Sequence, residues 1–403
     1  MKIIKIILRN FRNYGEEEII FNGKFNFISG NNGQGKTNIL EAISFSALGK
    51  SFLGASETDC VKFGKEEFLI ESVFENDLEN MDKITVGYNS IARLKAIYKN
   101  KEKVSAFSSE IFGRYPMVIL SPKSLDITHG NPSDRRRFFD ILISQASRLY
   151  LDYLKELVKI LKQKNALLKN YTVLKKYAKA EFTDMLNSYN EKLSDISSKI
   201  IFKRINFLKE FEKYFEKNFS FLSSEGHKSR ITYYSEIFET ELNGSEETSI
   251  DDIKECMSRV LNEKSEEEIS RAVSLAGPQR DDYIFRLKKR DGDYFDIKHF
   301  ASQGEHKTCI VALKLSEYDY LKHKKSTDPI LLLDDVLSEL DESRVSSIIS
   351  HLKDYGQIFL TTTDKGYLEN LKVFYGEEEI SVFEIENGTL INRHEAHRHK
   401  IEN

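Results

Sequence analysis

The sequence predicts an α/β fold in which a β-rich, parallel-sheet lobe is split by an inserted helical lobe. Three observations predict it. A strand, a glycine-rich loop and a helix follow one another in "FNFISGNNGQGKTNILEAISFSAL", Phe25 to Leu48. A second apolar strand ending in acids, "DPILLLDDVLSELD", begins at Asp328. Between them, Asp134 to Phe219 carries apolar residues at helical spacing with no glycine or proline. The expected divisions are 1–133, the first part of the lobe; 134–270, the helical insertion; and 271–403, the completion of the lobe.

Composition bounds what the chain can be. Its 403 residues are enough for a sizeable core, and 40% hydrophobic with 31% charged residues suits a soluble globular protein. The net charge of −4 means that any contact with nucleic acid must come from a local patch. Cys60, Cys256 and Cys309 lie far apart without metal-ligand spacing, which suits free thiols in a reducing cytoplasm. The opening "MKIIKIILRNFRNYG" is interrupted by Lys5 and lacks a small-residue cleavage site, so it reads as structure, not as a leader. No apolar run approaches the ~20 residues of a membrane helix, so a cytoplasmic protein without a membrane partner is expected.

In chain order, Ile3–Leu8, Glu18–Phe21 and Phe25–Ser29 read as strands, with a turn at Asn22-Gly23 joining the last two. Gly30, Gly35, Lys36 and Thr37 then fill the phosphate-loop pattern G-x-x-x-x-G-K-[ST]. Gly33 and Gly35 let the backbone curl so that N–H groups face phosphate oxygens, and the new helix adds its positive end. Lys36 would reach the β- and γ-phosphates, and the Thr37 hydroxyl would ligate Mg²⁺. Gly49 is placed to end the helix.

"EEFLIESVFEN", "KITVGYNS" and "ARLKAIYKN" read as hairpin strands, and "MVILS" between Pro116 and Pro122 as a short buried strand followed by a loop. The helical segment reads as antiparallel, and Ser223 to Asp251 as loops around one or two short strands. Ile330–Leu333 is the most apolar run, a central parallel strand that delivers Asp334 and Asp335 at its carboxyl end. "GQIFLTTTD" is a second such strand, and "EISVFEIENGTLI" a hairpin turning at Asn387-Gly388. Lys36 and Asp334 are 298 residues apart, yet their strands are expected in one sheet.

The acids complete the site. Asp334 is placed to hold Mg²⁺ and Asp335 to orient the attacking water; the alternative is that both cap the following helix. In "FASQGEHKTCIVALKL", Ser302, Gln303 and Gly304 open an amphipathic helix, a second anion site. One nucleotide does not need two such sites from one lobe. The second is therefore expected to face the γ-phosphate held by another protomer.

The order of these blocks resembles that of ABC-type ATPases of the chromosome-maintenance class, and within it the RecF family. "LRNFRNYGEEEIIF", "GNNGQGKTNILEAISFSALGKSF", "PKSLDITHGNPSDRRRFFD", "KQKNALLK", "AGPQRDDYIF", "FASQGEHKTCIVALKL" and "LLLDDVLSELD" carry the resemblance across nearly the whole chain. It implies a split ABC-type P-loop ATPase head and weak, DNA-stimulated ATPase activity. It also implies an ATP-dependent head-to-head homodimer on double-stranded DNA or gapped junctions, working with recombination mediator proteins. By position, Arg12 and Asn13 would lie near ATP, and Gly30, Asn31, Asn32, Gly33, Gln34, Gly35, Lys36, Thr37 and Asn38 would cradle its phosphates. Ser302, with Gln303 and Gly304, would reach the partner's γ-phosphate. Asp334 and Asp335 would serve metal and water, and Ser338 to Asp341 would cross the dimer interface.

Four positions depart from the family pattern: Ser124 replaces an acid, Gln279 a histidine, and Glu305 and Lys307 stand where Gln and Arg are commoner. Where transporter-type ATPases carry a switch histidine this chain has Thr363 or Asp364. For DNA, the stripe from Leu151 to Ala180 holds eight lysines (155, 159, 162, 164, 169, 175, 176 and 179) against Asp152 and Glu156. Arg135, Arg136 and Arg137 precede it. Such a stripe either neutralises phosphates or is a solvated helix face, and one arginine is expected to pair with Asp281 or Asp282 across the lobes. The histidines 394, 397 and 399 suggest a solvated tail or a metal site. Alternative readings are a nucleotide-gated scaffold, or an ATPase of a DNA-defence system, although no acid-rich nuclease block follows the ATPase motifs.

Overall fold

The computed structural model describes residues 1–21, 23–171, 179–223, 227–237, 240–242, 248–289, 292–336 and 342–394. The chain begins with β1 (Lys2–Arg9), β2 (Glu16–Ile20) and β3 (Phe25–Ser29). β1 and β2 pair antiparallel with Ile6 opposite Ile19. β3 does not continue this meander but enters a different sheet, so the hairpin expected at Asn22-Gly23 is corrected; Asn22 itself lies outside the described residues. The residue types explain the parting. "EEEII" suits an exposed edge, whereas all five residues of β3 are buried, as a central strand requires.

Helix α1 (Lys36–Leu48) follows the loop and ends where Gly49, at φ 71°, returns its N–H to the Phe45 carbonyl. β4 (Glu67–Glu75), β5 (Met81–Asn89), β6 (Leu94–Lys99) and β7 (Glu102–Lys103) complete an antiparallel sheet in the order β2-β1-β4-β5-β6-β7. β8 (Met117–Leu120) joins the other sheet, and a 3₁₀ turn, Pro122–Leu125, follows it where a loop was expected.

The chain forms two compact units, Met1–Ser124 with Glu317–Asn403, and Leu125–Ser316. The second contains α2 (Pro132–Ala146), α3 (Arg148–Lys169) and the 44-residue α4 (Lys179–Leu222). Along α4 the buried Phe182, Leu186, Leu193, Ile196, Ile200, Leu208, Phe211 and Phe215 hold the helical spacing of the sequence. The unit is not purely helical. β9 (Lys228–Ser235), β10 (Thr240–Leu242), α5 (Ile250–Glu263), α6 (Ser265–Arg271), β11 (Asp282–Lys288), β12 (Tyr294–Asp296) and the start of α7 (Gln303–Lys325) belong to it. The sheet order is β10-β9-β11-β12. β11 pairs antiparallel with β9 over seven residues, with Phe285 opposite Ile231. That pairing draws residues 271–316 into the inserted unit, in place of the boundary expected near 270.

The return of the chain brings β13 (Ile330–Asp334), α8 (Glu342–His351), β14 (Ile358–Thr362), α9 (Tyr367–Phe374), β15 (Ile380–Glu386) and β16 (Thr389–His394). They complete a sheet in the order β16-β15-β3-β14-β13-β8, parallel except for β16. Asn387 and Gly388, at φ 50° and 74°, make the two-residue turn that was expected. One hydrophobic core joins both sheets of this unit; within it Phe11, Phe45 and Phe68 meet edge to face at 5.3 to 5.8 Å. Among the described residues no helix is long and apolar enough to cross a membrane.

Candidate functional site

β3 and β13 lie in one sheet with only β14 between them, so the phosphate loop and the acids meet at the carboxyl ends of parallel strands. The Thr37 hydroxyl donates to Asp334 Oδ1 at 2.7 Å, and Thr361 at the end of β14 donates to the same oxygen at 2.8 Å. Burial raises the Asp334 carboxyl above its ordinary range, opposed by those two hydroxyls and by Lys36, while Asp335 adds to the rise. Asp335 sits at φ 50° and its N–H reaches Thr361 Oγ1 at 3.1 Å. A hydroxyl beside a carboxylate is the donor set a divalent cation takes when it keeps most of its waters, so Thr37 and Asp334 fit Mg²⁺.

Lys36 Nζ lies across the loop, 2.7 Å from the Gly30 carbonyl and 2.9 Å from that of Asn31. Burial lowers its pKa, with Asp335 and Asp334 pulling the other way. Asn31, Asn32 and Gly33 form the exposed tip. Gly35 is required at φ 115°, since a Cβ there would stand 2.8 Å from the Asn13 side chain.

Other expected contacts serve the loop itself. Asn13 Nδ2 donates to the Gln34 carbonyl at 2.8 Å, and Asn38 Nδ2 donates to Asn13 Oδ1 at 2.8 Å. Arg12 faces Glu41: both Nε and Nη2 lie 2.6 Å from the buried carboxylate, which also accepts the Ser51 hydroxyl. This pair links "RNFRN" to "GKSF" and raises the Arg12 pKa chiefly through the hydrogen bond to Glu41. Sequence reasoning missed Glu41 and Thr361. It also missed the clamp from the far end of the chain, where Asn387 N–H donates to Gln34 Oε1 at 2.6 Å and Gly388 N–H to the Gln34 carbonyl at 2.9 Å. The repeated threonines of "LTTTD" were the one signal that could have found Thr361.

Ser302, Gln303 and Gly304 lie in the second unit at the start of α7. Ser302 donates both its N–H, at 2.7 Å, and its hydroxyl, at 2.9 Å, to Glu305 Oε2, and Glu305 N–H returns to Ser302 Oγ at 3.3 Å. Lys289 pairs with Glu305 at 3.3 Å. The departure at Glu305 is thus a capping box on the serine expected to meet phosphate. At the switch position, Asp364 Oδ1 accepts the Gly366 N–H at 2.7 Å and shapes a turn. Ser338 to Asp341, and His397 and His399, lie outside the described residues.

The expected arginine pair exists but lies within the second unit, not across the lobes. Arg135 Nε and Nη2 bind Asp282 at 2.7 and 2.8 Å. Asp281 instead enters a buried cluster in which Arg204 Nη2 meets Asp140 at 2.9 Å and Arg204 Nη1 lies 3.4 Å from Asp281. The lysine stripe is also corrected. Lys164 is fully buried and pairs with the equally buried Glu268 at 2.6 Å, because its place on α3 faces inward. Lys155, Lys159, Lys162 and Lys169 are exposed; residues 175 and 176 lie outside the described residues.

Comparison with known proteins places the chain in a family. The family model described as the RecF/RecN/SMC N-terminal domain matches residues 2–389. The DNA replication and repair protein RecF of Chloroherpeton thalassium is 36% identical over 367 residues, covering 91% of this chain and 95% of that protein. The chain belongs to the RecF family. A solved RecF structure, described as that of the recombination mediator protein RecF-ATPrS in the RecFOR pathway, superposes with a TM-score of 0.83 at 30% identity. It covers 97% of this chain and 98% of that one. The Smc head domain from Pyrococcus furiosus bound to the ScpA C-terminal domain shares the fold at a TM-score of 0.55 and 16% identity, over 96% of this chain and 94% of its own. The split ABC-type head is therefore the architecture that RecF relatives share with Smc heads.

Proposed function

We propose that this RecF-family chain is an ATP- and DNA-binding protein of replication and recombinational repair. ATP closes a head-to-head dimer on duplex DNA near single-strand gaps, slow hydrolysis reopens it, and the closed form helps recruit mediator proteins. The observation that carries the reading is the Thr37–Asp334 contact beside Lys36, which unites the two halves of a phosphate site from opposite ends of the chain.

Lys36, already held in the loop, neutralises the β- and γ-phosphates, and loop N–H groups bind their oxygens. Thr37 and Asp334 hold Mg²⁺, which when bound offsets charge on the phosphates. Asp335 orients the attacking water and accepts its proton. Ser302, with Gln303 and Gly304, completes the site of a second copy. ATP then acts through its different affinity for open and closed forms. The RecF-ATP and RecF-ATPrS descriptions of solved relatives support the choice of nucleotide.

Sedimentation velocity of Asp335→Asn, with and without ATP·Mg²⁺ and labelled duplex DNA, tests this. Dimers that form only with ATP and carry DNA are expected. Nucleotide binding without dimers would remove the clamp and leave the phosphate site.

A further inference from the structure

Beside the amino end of α2 the second unit opens a cleft of about 490 Å³. Its polar lining includes Asn131, Ser133 and Arg136 at the entry of α2, Asn165 of α3, and Gln279 and Arg280 in the loop before β11. No lining residue carries a carboxylate and none is aromatic. Arg136 Nη1 donates to the Asp281 main-chain carbonyl at 2.6 Å, and Arg280 Nη2 to that of Ser274 at 3.2 Å. Neither guanidinium forms an ion pair among the described residues. The contrast with the neighbouring Arg135 is direct, because Asp282 holds that guanidinium at both edges.

A guanidinium has five N–H donors. Those left over on Arg136 and Arg280 belong to two planar forks on a cleft whose own lining has no carboxylate, although Asp282, Asp281 and Asp140 act on Arg136 from behind it. Such forks match the oxygens of a phosphate better than a lysine does. The amides of Asn131, Asn165 and Gln279 add neutral donors and acceptors. With no aromatic ring to stack a base, the cleft is built for a backbone and not for sequence. The helix that supplies Asn165 also exposes Lys155, Lys159, Lys162 and Lys169, which extends positive charge along the same element.

We propose that this cleft holds a phosphodiester of the DNA backbone, with Arg136 and Arg280 as its guanidinium ligands. The assignment rests on the DNA-binding reading above and locates its contact. Arg280 is the residue to change, being exposed and making none of the hydrogen bonds of the buried Arg204 cluster, although Pro278 and Asp281 on either side of it belong to that cluster.

Duplex binding by the full-length wild type, Arg280→Gln, Arg280→Lys and Ser133→Asp is measured by anisotropy over a NaCl series with ATP·Mg²⁺ present. Arg280→Gln is expected to lower the slope of log K against log salt by about 0.9, one phosphate contact. Arg280→Lys should restore that slope, and Ser133→Asp, which adds a carboxylate to the cleft, should weaken binding further. Thermal melts equal to wild type exclude misfolding. Wild-type slopes and affinities in Arg280→Gln and Ser133→Asp would overturn the cleft while leaving DNA binding intact. Inorganic phosphate binding that Arg280→Gln abolishes, with DNA binding unchanged, would make it a small-anion site and overturn the assignment. A wild type that binds no DNA would overturn the DNA reading, and the cleft with it.

Discussion

Three consecutive arginines, 135 to 137, have three different environments. Arg135 is buried on Asp282, Arg136 is half-buried and turned to a carbonyl, and Arg137 is exposed. Nothing in "RRR" separates them; a helix of 3.6 residues per turn points them in different directions. Gln34 shows the same dependence on place. Its side chain and carbonyl are held by Asn387, Gly388 and Asn13, so the shape of the loop depends on a turn 353 residues away. Gly388 has φ 74°, and a Cβ there would come 2.7 Å from the Asn13 carbonyl. Gly388→Val is therefore expected to cost about 1–3 kcal/mol of local strain, read as a loss of about ten- to a hundredfold in nucleotide affinity with the circular dichroism spectrum kept. An unchanged Kd for ATP would break the link between turn and loop.

Between elements, buried charge sets the terms. Lys164 of α3 and Glu268 of α6 are both fully buried, and Glu268 Oε1 also accepts the Leu275 N–H at 2.7 Å. Lys164→Met strands a carboxylate and should destabilise the protein by about 3–5 kcal/mol in urea titration. The double variant Lys164→Met with Glu268→Leu should recover most of that, and a double variant no better than the single would show that the pair matters only through its shape. The helix Asp126–His129 meets α7 through His129 and His306, whose rings stack at 3.7 Å. Burial, with the His129 charge adding to it, lowers the His306 pKa to about 4, against the weaker opposing pull of Glu305 and Asp296. A lowered folded pKa means that the unfolded chain takes up the proton first. The contribution of His306 is full above pH 6.5 and is lost as pH falls toward 4. Melting temperatures should fall over that window, and His306→Gln should flatten the fall; parallel curves would assign the acid sensitivity elsewhere.

For the whole molecule, the proposed dimer turns on Ser302. Ser302→Arg should block ATP-induced dimers in sedimentation while monomers still bind nucleotide, since Lys36, Thr37 and Asp334 belong to the other unit. ATP-induced dimers that survived this change would refute the shared site. Glu305 already occupies both donors of Ser302, so a partner's phosphate must replace a carboxylate there. Dimerisation should therefore be weaker than a glutamine at 305 would give.

Read alone, the residues settled the strand, glycine-rich loop and helix from Phe25 to Leu48, the acid-bearing strand Ile330–Asp334 and the helix that begins at Gln303, because each is local chemistry with its own spacing. They also settled the hairpin at Asn387-Gly388, where a two-residue turn demands those residue types. Partners distant in sequence were another matter. That β3 leaves β2 for β14 and β15, that β11 joins β9, that Lys164 is buried and that Glu41 takes Arg12 all depend on which faces meet. Helical or strand periodicity says that a face is apolar, not which face it will find. Only the tertiary structure chose those partners, and with them which of the many basic residues lie at the surface and which are buried against an acid.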